Sequence, residues 1–255
     1  MKIVVLLKQT FDTEEKIIVE EGRVKEEGAT YVINPYDEYA VEEAIRQRDL
    51  YGGSVSVVSV GPERVGEALR TALAMGADEA TLIADDHLED ELGVARALAA
   101  YIQGQEADLV LGGNFSVDNG AGAVAVQVAE LLGLPHITSV TKLTVEGRSV
   151  RAERDAEGDA ELVETTLPAV ITAQQGLNEP RYPSLPGIMK AKRKPLHRLT
   201  LEQLGLAPAD VVPLVRRIDV RAPDARRTGR ILQGELTEQV RALIHYLQHE
   251  DKVIH

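Results

Sequence analysis

Lys2–Leu7 reads KIVVLL and Ser54–Val60 reads SVSVVSV. Apart from Lys2 neither run carries a charge, and both are rich in β-branched residues, the pattern of strands covered on both faces in a parallel sheet. Between them, Ala40, Val41, Ala44 and Ile45 recur at helical spacing in the stretch from about Asp37 to Tyr51, and Gly52-Gly53 is the stop. Downstream, Gly61-Pro62 opens a helix over Val65, Ala68, Leu69, Ala72 and Leu73 that closes at Gly76. A short strand over Glu79–Ile83 follows, then a helix over Leu92, Ala95, Leu98, Ala99 and Ile102, then the strand Asp108–Leu111. A small-residue helix is expected from about Gly120 to Leu132. Strands separated by helix-sized spacers predict right-handed βαβ units in an α/β fold: a Rossmann-like, open, mainly parallel sheet.

The pattern changes after Leu134-Pro135. Val140–Val145, Ser149–Arg154 and Ala160–Thr166 read as short strands joined by Glu146-Gly147 and by Ala156-Glu157-Gly158, which predicts an antiparallel extension. Pro168–Thr172 is one more core strand. From Leu177 to Leu199 no period holds, and Pro180, Pro183, Pro186 and Pro195 punctuate the stretch, so a protruding loop arm without a helix is expected. Leu236, Val240, Leu243, Ile244 and Leu247 share one face of a C-terminal amphipathic helix. The expected division is a nucleotide-binding α/β domain over 1–176, an arm over 177–199 and an extension over 200–255.

The 255 residues carry 28 Lys+Arg against 41 Asp+Glu, a net charge of −13. Residues 1–180 hold 14 and 33, a net −19, whereas residues 181–230 hold 12 and 4, a net +8. Nucleic acid is disfavoured as a ligand of the basic segment, because the acidic body repels phosphate and Tyr182 is the only aromatic residue interleaved there. With no Cys, the chain has no disulfide, thiolate metal site, iron–sulfur cluster or cysteine nucleophile. The apolar run after Met1 is too short for a signal segment, and no stretch approaches a membrane span, so a soluble, cytoplasmic protein is expected.

In such a sheet, ligands bind outside the carboxyl ends of the strands. Leu6–Lys8, Val60-Gly61 and the turn Gly112–Gly122 (GGNFSVDNGAG) are three such ends, and the turn leads into a helix whose free N–H groups favour phosphate. Taken alone, the turn fits either a phosphate site or a plain strand-to-helix connection, since it is neither G-x-G-x-x-G nor a Walker A sequence. Asn34-Pro35-Tyr36-Asp37 fits either a purine or ribose contact or routine helix capping. Lys8 reads as a solvated lysine and His136 as a strand-edge residue. His245 and His249 lie four apart but no third ligand accompanies them, so no metal site is expected. No nucleophile–base arrangement or singular carboxylate pair stands out, so no catalytic residues are assigned and the chain is not expected to be an enzyme.

The stretch 177–195, LNEPRYPSLPGIMKAKRKP, resembles the signature of the electron transfer flavoprotein β-subunit family. The Asn34-Pro35 turn followed by Glu38 and Ala40–Ala44, the run Arg70–Asp78, and Leu167–Val170 agree with it in order. The resemblance implies an adenine-nucleotide α-hydrolase-like fold, a heterodimer with an α subunit that holds most of a redox-active FAD, and a structural AMP in the β subunit. It maps AMP contacts onto Leu6, Asn34, Pro35, Tyr36, Asp37 and Val60, and onto the turn Gly113, Asn114, Phe115, Ser116, Val117, Asp118, Asn119, Gly120, Ala121, Gly122, Ala123 and Val124. It further implies an arm that docks partner proteins through Leu185, Ile188, Met189 and Lys190, with Lys192, Arg193 and Lys194 steering toward acidic surfaces. Electrons would pass from acyl-CoA dehydrogenases or similar flavoenzymes to a membrane electron transfer flavoprotein:quinone oxidoreductase. Flavin-bifurcating relatives place a second FAD in the β site; their longer acidic, Thr/Gln-bearing turn is absent here, which favours AMP. An ATP sensor or nucleotide-using enzyme on the same scaffold would need a phosphate-gripping loop that the sequence lacks.

Overall fold

The computed structural model describes residues 1–88, 90–223, 229–250 and 252–254. It divides into two compact units, Met1–Val220 and Arg221–His255. In the first, the chain runs through β1 (Lys2–Leu6), β2 (Gln9–Phe11), β3 (Val19–Glu20), β4 (Arg23–Val24), β5 (Tyr31–Ile33), α1 (Pro35–Tyr51), β6 (Ser54–Gly61), α2 (Val65–Met75), β7 (Glu79–Ala84), α3 (Glu91–Gln103), β8 (Leu109–Gly113) and α4 (Val124–Leu132). It continues through β9 (His136–Glu146), β10 (Ser149–Ala156), β11 (Asp159–Thr166), β12 (Ala169–Ala173), α5 (Leu185–Ala191) and β13 (Leu196–Leu199).

Nine strands form one sheet in the order β11-β10-β9-β12-β8-β1-β6-β7-β13. Every neighbouring pair from β9 to β13 is parallel, and β10 pairs antiparallel with both β9 and β11. The α/β fold with its antiparallel extension is therefore as the sequence predicts. Alternation along β1 sends Ile3 and Val5 into one core and Val4 and Leu6 into the other. Ala40, Val41 and Ile45 of α1 and Leu69 and Leu73 of α2 fill the first. Ala95, Leu98 and Ile102 of α3 and Val128 and Ala129 of α4 fill the second. A central strand buried on both faces needs the unbroken apolar run that opens the chain.

Four elements depart from expectation. α4 starts at Val124 rather than Gly120, because Gly120 sits at φ +69°, outside helical space, and the turn continues through Ala123. β9 starts at His136, four residues before the expected Val140. Its first half pairs parallel with β12 and its second antiparallel with β10, with a register shift at Ser139 (φ +58°), so no single alternation runs along it. The arm is not wholly irregular: β13 adds a parallel edge strand beside β7, Leu196 opposite Ala80. It also contains the seven-residue helix α5, which corrects the expectation of a loop without a helix. Ser184 caps it by accepting the Gly187 N–H at 3.2 Å, and Pro186 is tolerated because it lies in the first turn, where an N–H has no helical acceptor.

The second unit contains α6 (Leu236–His245), extended by a wider turn over Tyr246–Glu250. Leu236, Val240, Leu243 and Ile244 are exposed, and α6 buries none of its residues. Arg230 pairs with Glu250 at 3.0 Å, and the rings of His245 and His249 stack at 4.5 Å. No helix among the described residues is long and apolar enough to cross a membrane.

Candidate functional site

Strand order reverses beside β1: the chain fills β6 and β7 on one side, then returns to place β8 on the other. The loops leaving β1 and β8 therefore diverge, and a cleft opens outside their carboxyl ends. A cavity of about 300 Å³ lies there. Its wall comprises the end of β1 (Leu6, Leu7, Lys8), the ends of β6 (Val60) and β8 (Gly112, Gly113), and the starts of α1, α3 and α4.

The start of α1 is spent on this cleft. Asn34 is the N-cap residue, yet its side chain makes no capping bond. Its Nδ2 donates to the Phe115 carbonyl at 2.9 Å and its Oδ1 accepts the Val117 N–H at 3.2 Å, so it holds the Gly-rich turn instead. Asp37 accepts the Lys8 N–H at 2.6 Å and the Gly113 N–H at 2.9 Å, tying the ends of β1 and β8 together. Burial pushes its carboxyl up to about 7, against the opposite pull of these bonds. Gly113 has no alternative residue here: a Cβ would run into the Asp37 carboxylate and stand 2.7 Å from Tyr36 Cβ. Tyr36 is not on the cavity wall and packs its ring on Phe115, which is, centroids 4.2 Å apart.

Lys8, its side chain 43% exposed, is more than a solvated lysine. Its Nζ donates to Ser116 Oγ at 3.0 Å and pairs with Asp118 at 2.7 Å, bridging β1 to the turn. Burial pushes Asp118 upward, but Lys8 and the Ser116 hydroxyl hold its carboxyl below the usual carboxylate range. The turn closes on itself through Ser116 N–H to the Ala121 carbonyl (2.9 Å) and Gly120 N–H to the Ser116 carbonyl (2.8 Å). Helix geometry leaves the first-turn N–H groups of α4 without intrahelical acceptors. Those of Val124 and Ala125, both on the cavity wall, donate to no protein group among the described residues.

Of the residues expected at the nucleotide, Leu6, Asn34, Asp37, Val60, Gly113, Phe115, Ser116, Asn119, Ala121, Gly122 and Val124 line the cavity. Pro35, Tyr36, Asn114, Val117, Asp118, Gly120 and Ala123 do not; they shape the turn behind it. Asn114, for example, accepts the Ser139 N–H at 3.2 Å and the Thr172 hydroxyl at 3.1 Å. Sequence reasoning missed Leu88, Asp90, Glu91 and Arg217 on the wall. Asp90 carried a signal, an Asp just before the apolar period of α3, where it accepts the Gly93 N–H at 2.8 Å as N-cap. Arg217 carried none beyond its place in the basic segment.

The arm stands on a polar footing. Arg181 forks onto the buried Glu42 at 2.7 and 2.9 Å, and Asn178 donates to the Tyr39 carbonyl and to Glu43. Arg70 donates to the carbonyls of Ala191 and Lys194 at 2.7 and 2.8 Å. Lys194 is part of this footing rather than a steering charge: its Nζ caps the end of α2 on the carbonyls of Leu73 and Ala77, and burial lowers its pKa. α5 lies so close to α2 that a Cβ at position 187 would stand 2.5 Å from the Ala74 carbonyl oxygen. Beyond the footing, Tyr182, Leu185, Ile188 and Met189 are exposed, Leu185 by 75%.

Comparison with known proteins agrees with this architecture. The profile of the electron transfer flavoprotein domain matches residues 22–204. The electron transfer flavoprotein subunit beta of Bacillus subtilis (strain 168) is 51% identical over 257 aligned positions that cover all of both chains. The protein of that name from Syntrophomonas wolfei is 38% identical, covering 99% of this chain and 98% of its own. That from Mycobacterium tuberculosis (strain H37Rv) is 43% identical across 82% of each.

Proposed function

The chain belongs to the electron transfer flavoprotein β-subunit family, and on that premise we propose that it is the β half of a heterodimeric electron carrier. The arm is the observation that carries this reading: apolar side chains held out in solvent on a backbone that ion pairs and buried carbonyl contacts keep in place. Leu185, Ile188 and Met189 enter a pocket on an electron-donating flavoenzyme, such as an acyl-CoA dehydrogenase, and Lys190, Lys192 and Arg193 favour an acidic partner. A preordered arm loses little conformational entropy on docking. The same carrier delivers to a membrane quinone oxidoreductase.

The α subunit holds most of the FAD, which supplies one-electron chemistry to the complex. This chain's part is to present the arm, to complete the heterodimer through residues 200–255, whose α6 stripe is uncovered, and to bind AMP as a structural ligand. The lining of the cleft fits AMP: Leu6, Val60 and Phe115 offer apolar walls, and the first-turn amides of Val124 and Ala125 offer phosphate donors. A cavity of about 300 Å³ accommodates a mononucleotide, and the absence of the longer acidic, Thr/Gln-bearing turn supports AMP over a second FAD. A cytoplasmic location fits this role.

Leu185→Ala tests the reading. Because Leu185 is exposed, the variant heterodimer should keep its melting temperature and FAD content, while electron transfer from an acyl-CoA dehydrogenase weakens several-fold at low carrier concentration. Unchanged transfer kinetics would remove Leu185 as the docking anchor.

A further inference from the structure

After the arm, the chain passes back along the cleft. Arg96 of α3 donates to the Asp210 carbonyl, and four residues later Asp90 Oδ2 accepts the N–H groups of Leu214 (2.6 Å) and Val215 (3.3 Å). Asp90 is thus shared: one oxygen caps α3, the other holds the passing backbone. At the far end, the Val220 N–H donates to the Gly22 carbonyl at 3.1 Å, on the turn between β3 and β4. Val215 to Val220 is therefore tethered on both sides, and midway between the tethers Arg217 lines the cavity. Apolar burial does not hold this segment, since Leu214, Val215 and Ile218 are exposed.

The charges of the cleft single out Arg217. Lys8 is paired with Asp118, Asp37 accepts two backbone N–H groups, both Asp90 oxygens are occupied, and Glu91 accepts from Asn119 at 3.4 Å. Among the described residues Arg217 alone of the charged wall residues makes no hydrogen bond or ion pair. A cation held beside a cavity without a counter-charge is poised for an anionic ligand.

We propose that residues 212–220 form a strap over the cleft and that Arg217, carried by it, is the cation that pairs with the phosphate of the bound mononucleotide. This rests on the reading of the cleft as an AMP site and deepens it. Lys8 shapes the turn while Arg217 supplies the charge that distinguishes nucleotide from nucleoside, and ligand binding adds a third tether between the two that Asp90 and Gly22 provide. Asp90 is a positioning residue, acting through the strap backbone.

The test uses the full chain co-purified with its partner subunit, freed of endogenous nucleotide and titrated with AMP and with adenosine. Arg217→Ala should raise the Kd for AMP about 10- to 100-fold, the loss of one charge-assisted contact, and leave that for adenosine within about twofold. Arg217→Lys should recover part of the AMP affinity. In hydrogen exchange, AMP should protect the Leu214 and Val215 amides in the wild type and fail to do so in Arg217→Ala. Equal losses for AMP and adenosine, or an unchanged AMP Kd, would overturn the strap while leaving the AMP site standing. A wild type that binds neither compound would overturn the site and the strap together.

Discussion

Helix α1 serves two regions of the molecule in two different ways. Its first turn faces the cleft, where Asn34 and Asp37 hold loop backbone in place and leave a concave surface lined by donors. Further along, Glu42 and Glu43 face the arm, where they receive Arg181 and Asn178 and leave the apolar tip exposed. In the cleft, the groups that make the shape and those that would meet a ligand are the same short segments. In the arm they are separated: the footing is anchored on the buried Glu42 and Glu43, and the tip residues are exposed. A perturbation of the cleft should thus register in fold and ligand together, and one of the arm in docking far more than in fold.

The largest expected effect concerns Asp37. With its folded pKa raised to about 7 and an unfolded value near 3.9, the native state retains a proton that the unfolded chain releases. Its contribution is full below about pH 4 and is lost as pH rises through 7, a change on the order of 4 kcal/mol for about three pKa units. Denaturation of the wild type and of Asp37→Asn at pH 4 and pH 8 should show the wild type losing ground to the variant as pH rises. Parallel profiles would mean that the two N–H bonds keep Asp37 ionised, and that the cleft carries no buried proton.

Gly113→Ala comes next. The added Cβ has to displace Tyr36 or Asp37, at a cost of about 2–3 kcal/mol, and the co-purified complex should retain less nucleotide. A variant that loses stability but keeps full nucleotide content would separate shape from binding in the cleft and break the contrast with the arm. The smallest effect belongs to the footing. Arg181→Ala leaves Glu42 buried without its partner, but Arg181 is 41% exposed, so about 1 kcal/mol is expected. Hydrogen exchange should rise in 178–191 while nucleotide content holds; exchange rising equally around Asn34 would show the cleft and the arm to be coupled through α1.

The alternating strands and helices were legible because burial on both faces leaves unbroken apolar runs and one helical face leaves a 3.6-residue period. β9 and α5 were harder to read for opposite reasons. β9 changes partners midway, so its two halves obey different alternations. α5 is only seven residues long and contains Pro and Gly, and the Gly is there for its contact with α2 rather than to end a helix. The glycine turn, the Asn34–Asp37 stretch and the arm could likewise be located from residue order, because each is contiguous in the chain.

The roles of Lys8, Lys194, Asp90 and Arg217 were out of reach on that basis. Lys8 meets Asp118 across 110 positions, Lys194 meets Leu73 across 121, and Asp90 meets Leu214 across 124. A charged side chain on a strand end or a loop reads as solvated until the fold brings it an acceptor. Local order in the chain therefore settled which segments are strands, helices and glycine turns, since these obey short-range sterics and burial periodicity. Which charges are spent inside the structure, and which one is left facing the cleft, was settled only by tertiary packing, because desolvation and pairing depend on neighbours that residue order does not reveal.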